Sequence, residues 1–105
     1  MTPTDDPVLI RFRKTLAEIY GDRIDRVVLF GSRARGDARP DSDYDVAVFL
    51  SDFRDRWSEV DLLMPFVTDI LYDAGVFIHA MPYRAGADQD RTPLMHEIRG
   101  EGLDL

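Results

Sequence analysis

Residues Leu29 to Leu50 read LFGSRARGDARPDSDYDVAVFL, and the rest of the chain is organised around this stretch. An apolar run, Val27-Val28-Leu29-Phe30, meets Gly31-Ser32; a polar turn follows, and Asp43-Tyr44-Asp45 opens a second apolar run from Val46 to Leu50. Residues two apart on a β-strand point to the same face, so a strand opening at Asp43 projects both carboxylates together, roughly 7 Å apart. A divalent cation fits between them.

The neighbouring residues suit the same chemistry. Gly31 permits a sharp turn and leaves room for a ligand against the backbone, and Ser32 suits the first residue of a short helix through Arg33-Ala34-Arg35. A helix start presents free N–H groups that favour phosphate. Arg33, Arg35 and Arg39 lie between the glycine turn and the carboxylates, so anion donors stand on one side and hard oxygen ligands on the other. Mg²⁺ takes a few carboxylates and fills its remaining positions with phosphate oxygens and water, which matches a magnesium-bound nucleoside triphosphate. Two such ions activate an attacking oxygen and stabilise a leaving pyrophosphate.

Gly31-Ser32, Arg33-Ala34-Arg35-Gly36 and Ser42-Asp43-Tyr44-Asp45 together resemble the GSxARG and SDxD signature of the DNA polymerase beta superfamily of nucleotidyltransferases. Within it the chain is most similar to the minimal nucleotidyltransferases paired with HEPN proteins in toxin–antitoxin systems. The resemblance implies an antitoxin that transfers AMP from Mg²⁺-ATP to a hydroxyl, expected to be a tyrosine's, of a partner HEPN toxin. It assigns metal binding to Asp43 and Asp45, a phosphate cradle to Gly31 and Ser32, charge neutralisation to Arg33 or Arg35, and orientation of the loop to Ser42. Enzymes that modify free small molecules generally add a second helical domain, for which this chain has no room.

The family usually supplies a third carboxylate from the next strand, as ligand and base. Here that strand reads Val76-Phe77-Ile78-His79-Ala80-Met81-Pro82 and holds no acid. His79 stands nearest the expected place; a neutral imidazole accepts a proton near pH 7 but is a poor magnesium ligand. Two carboxylates still hold one Mg²⁺ on a triphosphate, so nucleotide binding survives this departure better than rapid transfer does. The alternative is a nucleotidyltransferase-fold binding module, weak or inactive as an enzyme, that silences its partner by covering it with a sheet edge and with Phe53, Trp57, Met81 and Tyr83. A second motif, Arg91 with His96 five residues on, has the spacing of HEPN ribonucleases, but those are all-helical bundles and the match is read as coincidence.

Composition bounds these readings. A chain of 105 residues buries one core, so a single domain over residues 1–105 is expected. No apolar run approaches the ~18 residues of a membrane span, and the first residues, MTPTDDPV, lack the regions of a signal peptide, so a cytoplasmic location without membrane attachment is expected. There are no cysteines, which removes disulfides, thiolate metal sites and cysteine nucleophiles. The net charge of −7 opposes general attraction to nucleic-acid backbones, so no direct nucleic-acid binding is expected. Self-association is compatible with the sequence and not fixed by it.

The remaining elements follow from periodicity. Pro7, capped by Asp5 or Asp6, starts a helix whose stripe is Val8, Leu9, Phe12, Leu16, Ile19 and Tyr20, ending near Gly21. Ser51 to Arg56 reads as a connection. Ser58 is expected to cap a helix to about Ala74, buried through Val60, Leu63, Met64, Val67, Ile70, Leu71 and Ala74, with Pro65 kinking it or delaying its start and Trp57 as a lid on the core. Thr92-Pro93 starts a last helix to about Arg99, ended by Gly100 and Gly102, with Leu103 to Leu105 as a tail. The order predicts an α/β fold: a small mixed sheet of three to four strands with helices mainly on one face.

Overall fold

The computed structural model describes residues 5–105; residues 1–4, part of the stretch read for a leader sequence, lie outside the description. Helix α1 spans Pro7–Tyr20, with Asp6 as its N-cap accepting the Val8 N–H at 2.9 Å. Leu9, Phe12, Leu16 and Tyr20 form its buried stripe, as the three- and four-residue spacing predicts. A 3-10 turn, Gly21–Arg23, leads into strand β1, Ile24–Phe30. The strand starts three residues ahead of the apolar run because Ile24 still pairs with the second strand, and because Arg26 is held at the sheet by Asp88 and Asp104.

After β1 come α2 (Ser32–Arg35), β2 (Tyr44–Leu50), α3 (Arg56–Ala74), β3 (Ile78–Arg84), α4 (Pro93–Glu101) and β4 (Leu103–Asp104). The sheet order is β3-β2-β1-β4; β1 runs antiparallel to β2 and to β4, while β2 and β3 are parallel and joined through α3. Both central strands bury both faces. Val27 and Leu29 of β1 with Tyr44, Val46, Val48 and Leu50 of β2 pack under α1 and α3. Val28, Phe30, Ala47 and Phe49 pack with Met95 and Ile98 of α4 on the opposite face. The two long helices therefore share one face, and the short α4, with Ala87 beside it, covers the other.

Several boundaries differ from the sequence expectation. The cap of α3 is Asp55, whose carboxylate accepts the Ser58 N–H at 2.9 Å and the Ser58 hydroxyl at 2.8 Å, so Ser58 lies inside the helix. The helix runs through Pro65 and begins earlier than predicted, not later. Proline in a helix interior costs about 3 kcal/mol. Leu63, Val67 and Ile70 are each almost fully buried, and such side chains contribute about 1.5–3 kcal/mol apiece, so packing outweighs the break. The buried stripe is narrower than predicted: Met64 and Leu71 are exposed, and Trp57 is 75% exposed and lids nothing. Glu59, which apolar patterning passes over, is buried against the Arg23 guanidinium.

At the other end of the chain, β3 starts two residues later than predicted and continues through Tyr83-Arg84, and α4 continues through Gly100 to Glu101. The tail is strand β4. A Cβ on Gly102 would collide with the Ile98 carbonyl and the Val28 side chain, so glycine there lets the chain fold back onto β1, where the Leu105 N–H donates to the Val27 carbonyl at 2.9 Å.

Candidate active site

Opposed strand directions bring three strand ends together. The C-terminal end of β1 lies beside the N-terminal end of β2 because they are antiparallel, and the N-terminal end of β3 lies on the other side because β2 and β3 are parallel. In register, Asp45 stands between Phe30 and His79. Tyr44 faces the α1 and α3 side, so the alternation places Asp45 on the opposite face, as it does Ala47 and Phe49. Asp43 precedes the strand, is exposed, and has no hydrogen-bond or ion-pair partner among the described residues.

Gly31 is built against Asp45. It has φ 75° and ψ −158°, a conformation essentially restricted to glycine, and a Cβ there would collide with Oδ2 of Asp45. The chain then enters α2, where the first N–H groups, those of Ser32 and Arg33, have no intrahelical acceptor. His79 Nδ1 lies 3.6 Å from Asp45 Oδ1, beyond a hydrogen bond but close enough for attraction in the protonated form. The imidazole is about half exposed and stacks on Phe77, centroids 6.3 Å apart.

The arginines divide by role. The Arg33 guanidinium donates to the Ser42 carbonyl through Nε at 3.2 Å and Nη2 at 2.8 Å, donates to the Pro40 carbonyl at 3.1 Å, and lies over the Tyr44 ring at 4.1 Å. Arg35 pairs with Asp37 and with Glu97 and Glu101 of α4. Both are engaged as struts, not as free anion donors, whereas the Arg39 guanidinium has no hydrogen-bond or ion-pair partner among the described residues. Ser42 closes its turn: its hydroxyl accepts the Arg39 N–H at 2.9 Å and its N–H donates to the Arg39 carbonyl at 3.0 Å. Sequence reasoning passed over Tyr44. Its hydroxyl donates to Asp6 at 2.7 Å, and burial, then that bond, push its pKa up to about 12. An aromatic flanked by two aspartates at a strand mouth was the available signal.

Asp45, with Asp43 two residues before it, offers oxygens of the kind Mg²⁺ takes, and because no group of three acids, histidines or cysteines converges among the described residues, most of the ion's positions would fall to water and phosphate oxygens. The donor set therefore fits a cation shared with a triphosphate and not a cage built from protein alone. Beside His79 opens an apolar groove of about 350 Å³ between α3 and β3, lined by Trp57, Val60, Met64, Phe77 and Met81 among others. No helix among the described residues is long and apolar enough to cross a membrane.

With this geometry in view, comparison with known proteins is informative. Residues 9–90 match the family described as nucleotidyltransferase domain. A Methanocaldococcus jannaschii protein, named as a candidate protein adenylyltransferase, is 42% identical over 45 residues, which cover 43% of this chain and 46% of that relative. The chain thus spans less than half the length of the curated relative it matches. Among solved structures, a toxin–antitoxin crystallised with AMP-PNP superposes with a TM-score of 0.67 at 19% identity, over 90% of this chain and 69% of that one. A variant of the MntA–HpeT toxin–antitoxin superposes with a TM-score of 0.60 at 17% identity, over 88% of this chain and 68% of that one. At these identities the likeness is one of fold.

Proposed function

We propose, for a chain that belongs to the nucleotidyltransferase domain family, that it is an antitoxin that moves AMP from Mg²⁺-ATP onto a hydroxyl of a partner toxin, the partner being of the HEPN class and the hydroxyl a tyrosine's. The observation that carries the reading is Gly31 packed onto the Asp45 carboxylate at the start of β2, with His79 beside Asp45 and the exposed Asp43 immediately before the strand. The antitoxin assignment draws on the fold shared with the toxin–antitoxin structures, and the adenylyl group on the name of the Methanocaldococcus relative.

Asp43 and Asp45 hold the metal, which when bound draws charge from the triphosphate oxygens. Gly31 and the N–H groups of Ser32 and Arg33 receive phosphate oxygens, and Arg39 supplies positive charge from the loop. His79 accepts the proton of the attacking hydroxyl through Nε2, while its Nδ1 faces Asp45. The acceptor oxygen bonds to the α-phosphorus, the bond between that phosphorus and the bridging oxygen to the β-phosphate breaks, and pyrophosphate leaves with its electron pair. Half exposure of His79 leaves the acceptor side of the site open to a macromolecule.

A second reading is favoured by the face of α3, where Trp57, Met64 and Tyr72 are exposed, and by the missing third acid. On that reading the chain silences its partner by stoichiometric cover. Mass spectrometry of the partner toxin after incubation with this protein and Mg²⁺-ATP separates the two. Transfer predicts a gain of one or more AMP units that disappears with Asp43→Ala and Asp45→Ala. Silencing by both variants with no mass gain would establish the binding module and overturn the enzyme.

A further inference from the structure

The carboxylate of Asp43 is exposed and unpartnered among the described residues, so its direction depends on the backbone that delivers it. That backbone is gripped at one place. The peptide joining Ser42 to Asp43 carries the carbonyl that Arg33 holds through both Nε and Nη2, at 3.2 and 2.8 Å, and a forked grip on one oxygen restrains the peptide group. The same Nη2 reaches the Pro40 carbonyl at 3.1 Å, so both ends of the Pro40–Ser42 segment are tied to one side chain.

The guanidinium is anchored in turn. It lies 4.1 Å over the Tyr44 ring, and the Tyr44 hydroxyl donates to Asp6, the cap of α1, at 2.7 Å. A strut therefore runs from the start of α1 through Tyr44 and Arg33 to the carbonyl preceding Asp43. A planar fork lies over a ring and grips one oxygen through two donors at once; a lysine ammonium can sit over the ring but lacks the forked grip.

We propose that Arg33 is a positioning residue for metal binding, setting through Tyr44 and the Ser42 carbonyl where the Asp43 carboxylate stands; this rests on the nucleotidyl-transfer reading above. The Arg33 guanidinium then acts on the metal side of the site and not on the triphosphate, because its forked donors are already committed to the loop.

The test measures Mn²⁺ binding by electron paramagnetic resonance in the presence of a non-hydrolysable ATP analogue, and binding of the analogue alone in EDTA by calorimetry. Arg33→Met is expected to weaken Mn²⁺ binding by about tenfold, the scale of losing a group that orients a metal ligand, with analogue binding in EDTA unchanged. Tyr44→Leu is expected to follow Arg33→Met, and Arg33→Lys to give no rescue. Equal loss of analogue binding with and without metal, restored by lysine, would make Arg33 a phosphate ligand and overturn the proposal. A wild-type protein that binds neither Mn²⁺ nor analogue overturns the nucleotidyl-transfer reading and this inference with it. Unchanged Mn²⁺ binding in Arg33→Met, with the wild type binding normally, overturns the inference alone. Should the variants not fold, the wild-type Arg33 Nε–H resonance decides: it stays in place on adding the analogue in EDTA if the guanidinium remains on the loop, and a large shift means that it moves to phosphate.

Discussion

Gly31 and Asp45 meet so closely that a single methyl group on the glycine would collide with an oxygen of the Asp45 carboxylate. The turn that ends β1 and the carboxylate that opens β2 are thus one structural unit. Gly31→Ala must relieve both the collision and a positive φ, and strain of that kind costs about 1–3 kcal/mol. Urea denaturation is expected to show a loss in that range, together with loss of metal-dependent nucleotide binding as Asp45 is displaced. A stable variant with intact binding would mean that the contact is loose.

Asp45 and His79 predict a split in kinetic behaviour. On the proposed transfer mechanism, His79→Gln removes the proton acceptor and leaves the metal side intact, so the rate of AMP transfer is expected to fall about 100-fold, the lower end for general-base loss, at unchanged nucleotide affinity. On the same mechanism Asp45→Asn removes a charged ligand and is expected to abolish metal-dependent binding itself. Steady-state transfer kinetics paired with calorimetry check both. A His79→Gln variant at full rate would return the base to solvent or to the partner.

Glu59 and Arg23 form a pair in which only one member reaches water: the Glu59 side chain is 1% exposed and that of Arg23 is 27% exposed. Arg23→Met strands a buried carboxylate, and breaking such a pair costs about 3 kcal/mol. The double variant Arg23→Met, Glu59→Gln is expected to recover a large part of that loss, because no charge is left buried. Chemical denaturation of the three proteins gives the coupling directly.

Alkaline pH probes the tyrosines. Tyr20 is pushed up to about 12, first by burial and then by the nearby Glu59 carboxylate, and Tyr44 to about 12 by burial and its bond to Asp6. A folded pKa above the unfolded value of ~10 means that the stabilisation is complete below pH ~10 and is lost as pH rises through about 12. Thermal melts are expected to fall across that window, and Tyr44→Phe to make the fall shallower. Absorbance at 295 nm should show Tyr20 and Tyr44 ionising only as pH approaches about 12.

Acid pH probes the start of α3. Asp55 sits below the usual carboxylate range, held there by the Ser58 N–H and hydroxyl. A depressed folded pKa gives stability that is present above the unfolded value of ~3.9 and lost as pH falls through the folded one. Asn caps a helix without charge, so Asp55→Asn is expected to melt slightly below wild type at neutral pH, the two converging below pH ~3.9. A constant gap down to the lowest pH would exclude the carboxylate's charge as the source.

The stretch from Leu29 to Leu50 by itself determined a strand, a glycine turn, a one-turn helix, a loop and a second strand with Asp45 near its start, although that strand begins at Tyr44 and leaves Asp43 just outside it. Backbone freedom and period-two alternation are local properties, and a linear sequence displays them. The stripe of α1 and the caps at Thr92 and Pro93 were equally legible. What tertiary structure alone decided are relations between distant residues. His79 stands beside Asp45 because β2 and β3 pair in parallel, which no spacing announces. Arg33 and Arg35 carry the same charge in the same short helix, yet one is committed to the loop and Tyr44 and the other to α4, since the fold sets which carbonyls and carboxylates come within reach. The burial of Glu59, the exposure of Trp57 and the pairing of β4 have the same origin: each depends on which surface arrives opposite, and that surface exists only once the sheet has formed.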